Sequence, residues 1–133
     1  MSRKARFRIG RSETGLGLFA TAPIEKRALI VEYSGRRIPA KEARKYERQY
    51  ARKYMFEINS RWTIDGSTRS NMARYANHSC QPNAESDLVK GKIVLRALKT
   101  IAFGEEITYD YGREYFELFL RAKGCKCTKC RTR

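Results

Sequence analysis

The chain has 133 residues, with 29 Lys and Arg against 14 Asp and Glu for a net charge of +15 at pH 7, and 41% of it is hydrophobic, including eight Tyr, six Phe and one Trp. That length suits one ordinary domain and excludes a large multidomain machine, while the apolar content excludes a disordered basic tail. The charge points toward polyanions or an acidic partner surface and is silent on chemistry.

In chain order, β-like runs rich in Ile, Val, Tyr, Phe and Thr fall at residues 7–9, 16–20, 28–33, 54–58, 62–65, 92–98 and 106–109, punctuated by Gly, Pro, Asn and Asp. Between the third and fourth, residues 39–54 have a different period. Pro39 suits a first helical turn, Tyr46, Tyr50 and Tyr54 recur every four residues beside Ala43 and Ala51, and Lys41, Arg44, Lys45, Arg48, Arg52 and Lys53 take the other face. A second helix is predicted over 114–121, where Tyr115, Phe116, Leu118, Phe119 and Leu120 give an apolar face and Gly124 offers a stop. The fold class expected from this pattern is mainly β with few short helices.

Charge is unevenly spread. Residues 1–54 carry a net +10, residues 55–120 a net −1 and the last 13 residues +6, so the middle of the chain could receive a cation while the ends could not. No apolar run approaches the ~20 residues of a membrane helix. The basic start lacks the apolar run and cleavage site of a secretory signal, so the expected compartment is intracellular and reducing, with the cysteines as thiols or thiolates.

Cys125, Cys127 and Cys130 form a CxCxxC knot in a polar tail and can converge on a tetrahedral zinc, for which Cys80 is the remaining cysteine and the candidate fourth ligand. Four thiolates around Zn²⁺ leave a formal −2 that Lys126, Lys129 and Arg131 could offset. The bland alternative is three exposed thiols and a buried Cys80. Gly15-Leu16-Gly17 lacks the third glycine of a dinucleotide fingerprint and the Lys-Ser/Thr of a phosphate loop, which leaves a plain turn or a place where a ligand approaches bare backbone. The single histidine, His78, sits in a run of hydrogen-bonding side chains from Arg74 to Asn83, where a structural role is the commoner one. Hydrolase triads and HExxH zinc motifs are absent from the sequence. Tyr109 and Tyr111 would share one face of a strand and could line one slot, or simply pack in the core.

Taken together, SETGLGLFA (12–20), EYSG (32–35), DGSTRSNMARYANHSCQPN (65–83), GEEITYDY (104–111) and GCKCTKC (124–130) resemble, in order over nearly the whole chain, the SET-domain family of protein lysine methyltransferases. The resemblance implies small curved β-sheets with a knot-like passage of the C-terminal segment under the Asn77-His78-Ser79-Cys80 loop. It divides the chain into a SET domain at 5–112, a connecting helix at 113–120 and a post-SET zinc tail at 121–133. It implies S-adenosylmethionine as cofactor, held by Thr14, Gly15, Leu16 and Gly17, by Tyr54, by Asn77 and His78, and by Lys126 over the adenine. It implies catalysis by Tyr111, with Tyr33 lining the lysine channel and Tyr109 limiting the space around the amine, hence mainly monomethylation. Zinc on Cys80, Cys125, Cys127 and Cys130 would complete the pocket.

The expected substrate is a basic protein, histone or histone-like, with the 41–53 face as a possible nucleic-acid surface and no membrane association. Lacking a cysteine-rich segment before the domain, the chain is similar to stand-alone bacterial and viral members, which would place it in the cytoplasm or nucleoid, or on chromosomes in a eukaryotic cell. Three departures stand out: Arg36 where the family often has Glu, Ser70 where Gly usually precedes Asn71, and a tail shorter than the common CxCxxxxC. The rival reading is a catalytically dead nucleic-acid-binding module with a zinc knuckle. A purely structural interaction domain is a third, and it leaves the matching cofactor and catalytic positions unexplained.

Overall fold

The computed structural model describes residues 6–12, 15–50 and 54–111, with backbone alone for 46–50. Ten strands, one helix and one 3-10 turn, Met72–Tyr75, make up the described chain. The mainly β fold class expected from the sequence is the one observed.

Strands β1 (Phe7–Ser12) and β2 (Gly15–Ala20) form an antiparallel hairpin paired from Phe7 opposite Ala20 to Ser12 opposite Gly15. β3 (Leu29–Tyr33) lies at the opposite end of the same sheet, yet the Arg6 guanidinium donates to the Leu29 carbonyl at 3.1 Å, so the sheet curls until its two ends approach. The first sheet is completed by β7 (Asn77–His78), β8 (Ala84–Val89), β9 (Lys92–Ala97) and β10 (Glu106–Tyr109), in the order β1-β2-β10-β8-β9-β3 with β7 also on β10. A smaller sheet, ordered β4-β6-β5, is built from β4 (Arg36–Pro39), β5 (Met55–Glu57) and β6 (Trp62–Asp65). Leu18, Ile24, Leu95, Ile101 and Ile107 are fully buried and mark the core that the larger sheet wraps.

Three strands, β4, β7 and β8, escape the sequence pattern, and for β8 and β4 the reason is local. In β8 only Ala84 is buried, so no apolar alternation is written there. Its place comes from pairing with β9 through a two-residue turn at Lys90 and Gly91, both at positive φ (51° and 79°), the turn type whose twist matches a hairpin. β4 is two arginines, Ile38 and Pro39, held by β6 and by Arg37 donating to the Gly91 carbonyl at 3.0 Å. Pro39 closes this edge strand opposite Trp62, where its missing N–H costs nothing. It therefore does not open the helix. Helix α1 (Ala40–Tyr50) buries Ala40 and Ala43 and exposes Lys41, Glu42, Arg44 and Lys45. Tyr54 is not on it: its φ is +67° and its carbonyl accepts the Gly66 N–H at 2.8 Å, which ties it to the second sheet.

β10 runs parallel to β7, with Thr108 opposite Asn77 and Tyr109 opposite His78, parallel to β8 at Ala84, and antiparallel to β2. Buried Asn83 secures this junction. Its Nδ2 donates to the Glu106 carbonyl at 2.8 Å and its Oδ1 accepts the Thr108 N–H at 2.9 Å, so the side chain acts as one more rung of ladder. The second helix predicted at 114–121, the second half of the expected knot-like passage, and the tail lie outside the described residues.

Candidate active site

β3, β5, β7 and β10 each deliver aromatic groups to one strip. Tyr33, 3% exposed at the end of β3, packs on Phe56 of β5 with ring centroids 5.0 Å apart. Phe56 stacks on Tyr109 at 6.5 Å, Tyr109 meets Tyr111 at 4.8 Å, and Tyr111 meets the His78 ring at 5.3 Å. The common face expected for Tyr109 and Tyr111 is observed. Phe56 escaped the sequence reading as a site residue, although the alternation at 54–58 placed it on a strand. Its position between Tyr33 and Tyr109 depends on two sheets meeting, which local period cannot express.

The Tyr111 hydroxyl donates to the Ala76 carbonyl at 2.5 Å. A phenol has one proton, so toward any further neighbour this oxygen is an acceptor. His78 Nδ1 accepts the Tyr111 backbone N–H at 3.1 Å, which leaves the proton of the neutral ring on Nε2, facing the Cys80 Sγ at 3.4 Å. Burial lowers the His78 pKa below its ordinary value, and the Asp110 carboxylate, 3.7 Å from Nδ1, opposes the shift in part. The imidazole is thus a neutral clamp on the backbone of the catalytic candidate. The commoner, structural role of a lone histidine is the geometry seen.

Two buried glycine and asparagine contacts brace the strip. Asn71, fully buried, accepts the Ser34 N–H at 3.0 Å and donates to the Gly66 carbonyl at 2.9 Å, joining the end of β3 to the loop after β6. A methyl group on Gly66 would strike the Tyr33 ring and the Asn71 amide. Arg74 is a further site residue that the sequence does not single out; its guanidinium lies over the Tyr54 ring at 4.5 Å and the Tyr75 ring at 5.2 Å and donates to the Ser67 carbonyl.

The two glycines of the 15–17 stretch differ in purpose. Gly15 has φ +120° with nothing within 4 Å of where a Cβ would be, so it serves conformation and leaves an open face. Gly17 serves space: a Cβ there would lie 2.5 Å from a Glu106 carboxylate oxygen and 3.1 Å from the Asn77 amide nitrogen. Asn77 Nδ2 in turn donates to the Leu16 carbonyl at 2.9 Å, so the structure does bring Asn77 to the 15–17 backbone. Tyr54 is seen against Arg74. Thr14, Lys126, Cys125, Cys127 and Cys130 lie outside the described residues. Cys80 is half-buried, and among the described residues no group of three or more His, Cys, Asp or Glu is arranged to hold a metal.

Residues 15–112 match the SET domain family. The chain belongs to the SET-domain family. This SET domain is 40% identical over 105 residues to the histone-lysine N-methyltransferase trithorax of Drosophila virilis, covering 73% of this chain and 3% of that protein. It is 34% identical over an alignment of 140 residues to the histone-lysine N-methyltransferase set1 of Dictyostelium discoideum, covering 98% of this chain and 9% of that one. A solved structure described as ctPRC2 in an autoinhibited conformation bound to S-adenosylmethionine superposes with a TM-score of 0.72 at 27% identity, over 83% of this chain and 15% of that chain. The SET domain thus spans only 3% and 9% of the length of these two curated relatives. In the described residues no helix is long and apolar enough to cross a membrane.

Proposed function

We propose that this SET domain transfers a methyl group from S-adenosylmethionine to a lysine side chain of a basic protein of histone or histone-like type. The observation that carries the reading is the parallel pairing of β7 with β10, which sets Asn77 and His78 beside Tyr109 and Tyr111. The relatives' printed activity and the cofactor in the structural neighbour support it. The Gly15 to Gly17 backbone and the Asn77 amide fit a cofactor rich in hydrogen-bonding groups, because Gly15 and Leu16 are exposed and Gly15 carries no side chain to block approach. When bound, S-adenosylmethionine supplies an electrophilic methyl group on a sulfonium.

The protein's task is to present an amine that can attack. Lysine has a pKa near ~10.4 in water and must lose its proton first. Tyr33, Phe56 and Tyr109 desolvate it, and burial disfavours the ammonium, so no strong base is needed. Tyr111, held by Ala76 and His78, offers an oxygen acceptor that fixes the direction of approach. Calorimetric titration of the purified chain with S-adenosylmethionine tests the reading: saturable binding is expected, and its absence at millimolar cofactor overturns it.

Tyr109 limits the product to monomethyl-lysine by holding a water and filling space beside the amine. Tyr109→Phe should therefore shift the product spectrum toward di- and trimethyl-lysine, and an unchanged spectrum would reject this role.

Zinc on Cys80, Cys125, Cys127 and Cys130 anchors the tail, with Lys126 toward the cofactor. The support is the chemistry of four thiols, since one Cys₄ set is the ordinary closed zinc site. The metal content of purified protein should be one zinc per chain and should fall severalfold in Cys80→Ser; full zinc in that variant would remove Cys80 from the set.

Helix α1 carries the case for nucleic acid. Lys41 and Lys45 are exposed, and Arg44 is shared with Glu57 through an exposed 2.6 Å ion pair. Such a pair is worth at most about 1 kcal/mol, so Arg44 can exchange Glu57 for a phosphate. Reversing the charges of Arg44, Arg48 and Arg52 should reduce methylation of DNA-bound substrate more than that of free peptide, whereas equal losses would leave this face merely solvated.

A further inference from the structure

We infer that Glu106 is a positioning residue for the cofactor site, acting through Asn77; the inference deepens the methyltransferase reading and rests on it. Asn77 Nδ2 has three neighbours able to accept a proton: Glu106 Oε2 at 2.7 Å, the Leu16 carbonyl at 2.9 Å and Ser12 Oγ at 3.2 Å. The two nearest are a carboxylate and a carbonyl, which only accept, so the carboxamide cannot be turned over without setting oxygen against oxygen. The amide is locked with its NH₂ toward the protein. Its Oδ1 is left as the end presented outward, and among the described residues no donor is recorded on it.

Glu106 is suited to this task by its place. Its backbone is fixed twice, opposite Phe19 in β2 and by the Asn83 amide on its carbonyl, so its carboxylate has a stationary base. The space it enters is the one Gly17 leaves by lacking a Cβ, with Ser12 on the far side. Gly17, Asn77 and Glu106 therefore form one device across β2, β7 and β10. The second glycine of the 15–17 stretch makes room for the protein's own carboxylate and amide, where the sequence alone suggested room for a ligand. A cofactor bound along the Gly15 to Gly17 backbone meets an Asn77 oxygen of fixed orientation and gives it a donor. Without Glu106 the Leu16 carbonyl is the one obligate acceptor left on the NH₂, so the amide is held less firmly and part of the population presents NH₂ instead, a mismatch with any donor group of the ligand.

The test is the dissociation constant for S-adenosylmethionine by calorimetry, alongside thermal midpoints, for the parent, Glu106→Ala, Glu106→Gln, Asn77→Ala and the Glu106→Ala/Asn77→Ala double variant. Loss of one oriented hydrogen bond predicts about a tenfold weakening in Glu106→Ala. Glu106→Gln keeps an acceptor and should recover most of that affinity. On the Asn77→Ala background, removing Glu106 should cost nothing further, because the path runs through the amide. Equal binding by the parent and Glu106→Ala, or additive losses in the double variant, would overturn the inference while leaving the parent's cofactor binding intact. Failure of the parent to bind would instead strike the methyltransferase reading. Should Glu106→Ala not fold, Asn77→Asp decides: it sets two carboxylates together and should weaken binding, and Asn77→Asp/Glu106→Gln should restore part of it, with no restoration counting against the inference.

Discussion

Tyr111→Phe should lower the rate of methyl transfer by about 100-fold or more while leaving cofactor binding within a small factor of the parent, the scale seen when one preorganised polar contact at a reacting centre is removed. The hydroxyl's proton is committed to the Ala76 carbonyl, so what the substituted ring loses is an oxygen acceptor at a fixed point. The ring itself remains gripped, since Tyr109 lies against it and the His78 imidazole holds the Tyr111 backbone N–H. Loss of the contact to Ala76 costs about 1 kcal/mol of stability, too little to unfold a domain. The check is single-turnover kinetics with cofactor binding measured on the same preparation: a parallel loss of binding and rate would make Tyr111 a structural residue.

Asn83→Ala should have the largest effect on stability, about 2–4 kcal/mol, because it removes both members of a buried pair of side-chain-to-backbone bonds and leaves the Glu106 carbonyl and Thr108 N–H without them. Domains are stable by only about 5–15 kcal/mol, so chemical denaturation should show a clearly lowered midpoint with an unchanged slope. The consequence extends to the site, since β10 carries Tyr109 and leads directly into Tyr111. Activity measured at a temperature where the variant is fully folded should fall less than stability does. A midpoint within error of the parent would show that β10 is held by its strand partners alone.

The contrast between these residues shows what a sequence can express. A period of two, which is a local property, puts Tyr109 and Tyr111 on one face, and their rings do meet. β2, β9 and β10 bury enough apolar side chains to be legible in the same way, and β3 is legible through its run of Leu29, Ile30, Val31 and Tyr33, of which Tyr33 is buried and Ile30 and Val31 half-buried. Asn71 and Asn83 are buried through bonds to backbone groups 37 and 25 residues distant, and no window of sequence carries that information. β7 is two residues long and exists only because β10 runs beside it. The resemblance to a known family supplied the link that periodicity lacked, the meeting of the Asn77-His78 stretch with the Tyr109-Tyr111 stretch. Tyr54 shows the opposite case: its spacing from Tyr46 and Tyr50 read as helix, while a left-handed backbone and a bond from Gly66 take it into the smaller sheet.

In the proposed reaction, methyl transfer to lysine is centred on Tyr111. Mass spectrometry of histones and basic chromosomal proteins, incubated with S-adenosylmethionine and either the parent protein or Tyr111→Phe, tests it most directly. A methyl increment on lysine, predominantly single, is expected with the parent and should be nearly absent with the variant. No lysine modification by protein that binds the cofactor, or equal modification by both proteins, would contradict it.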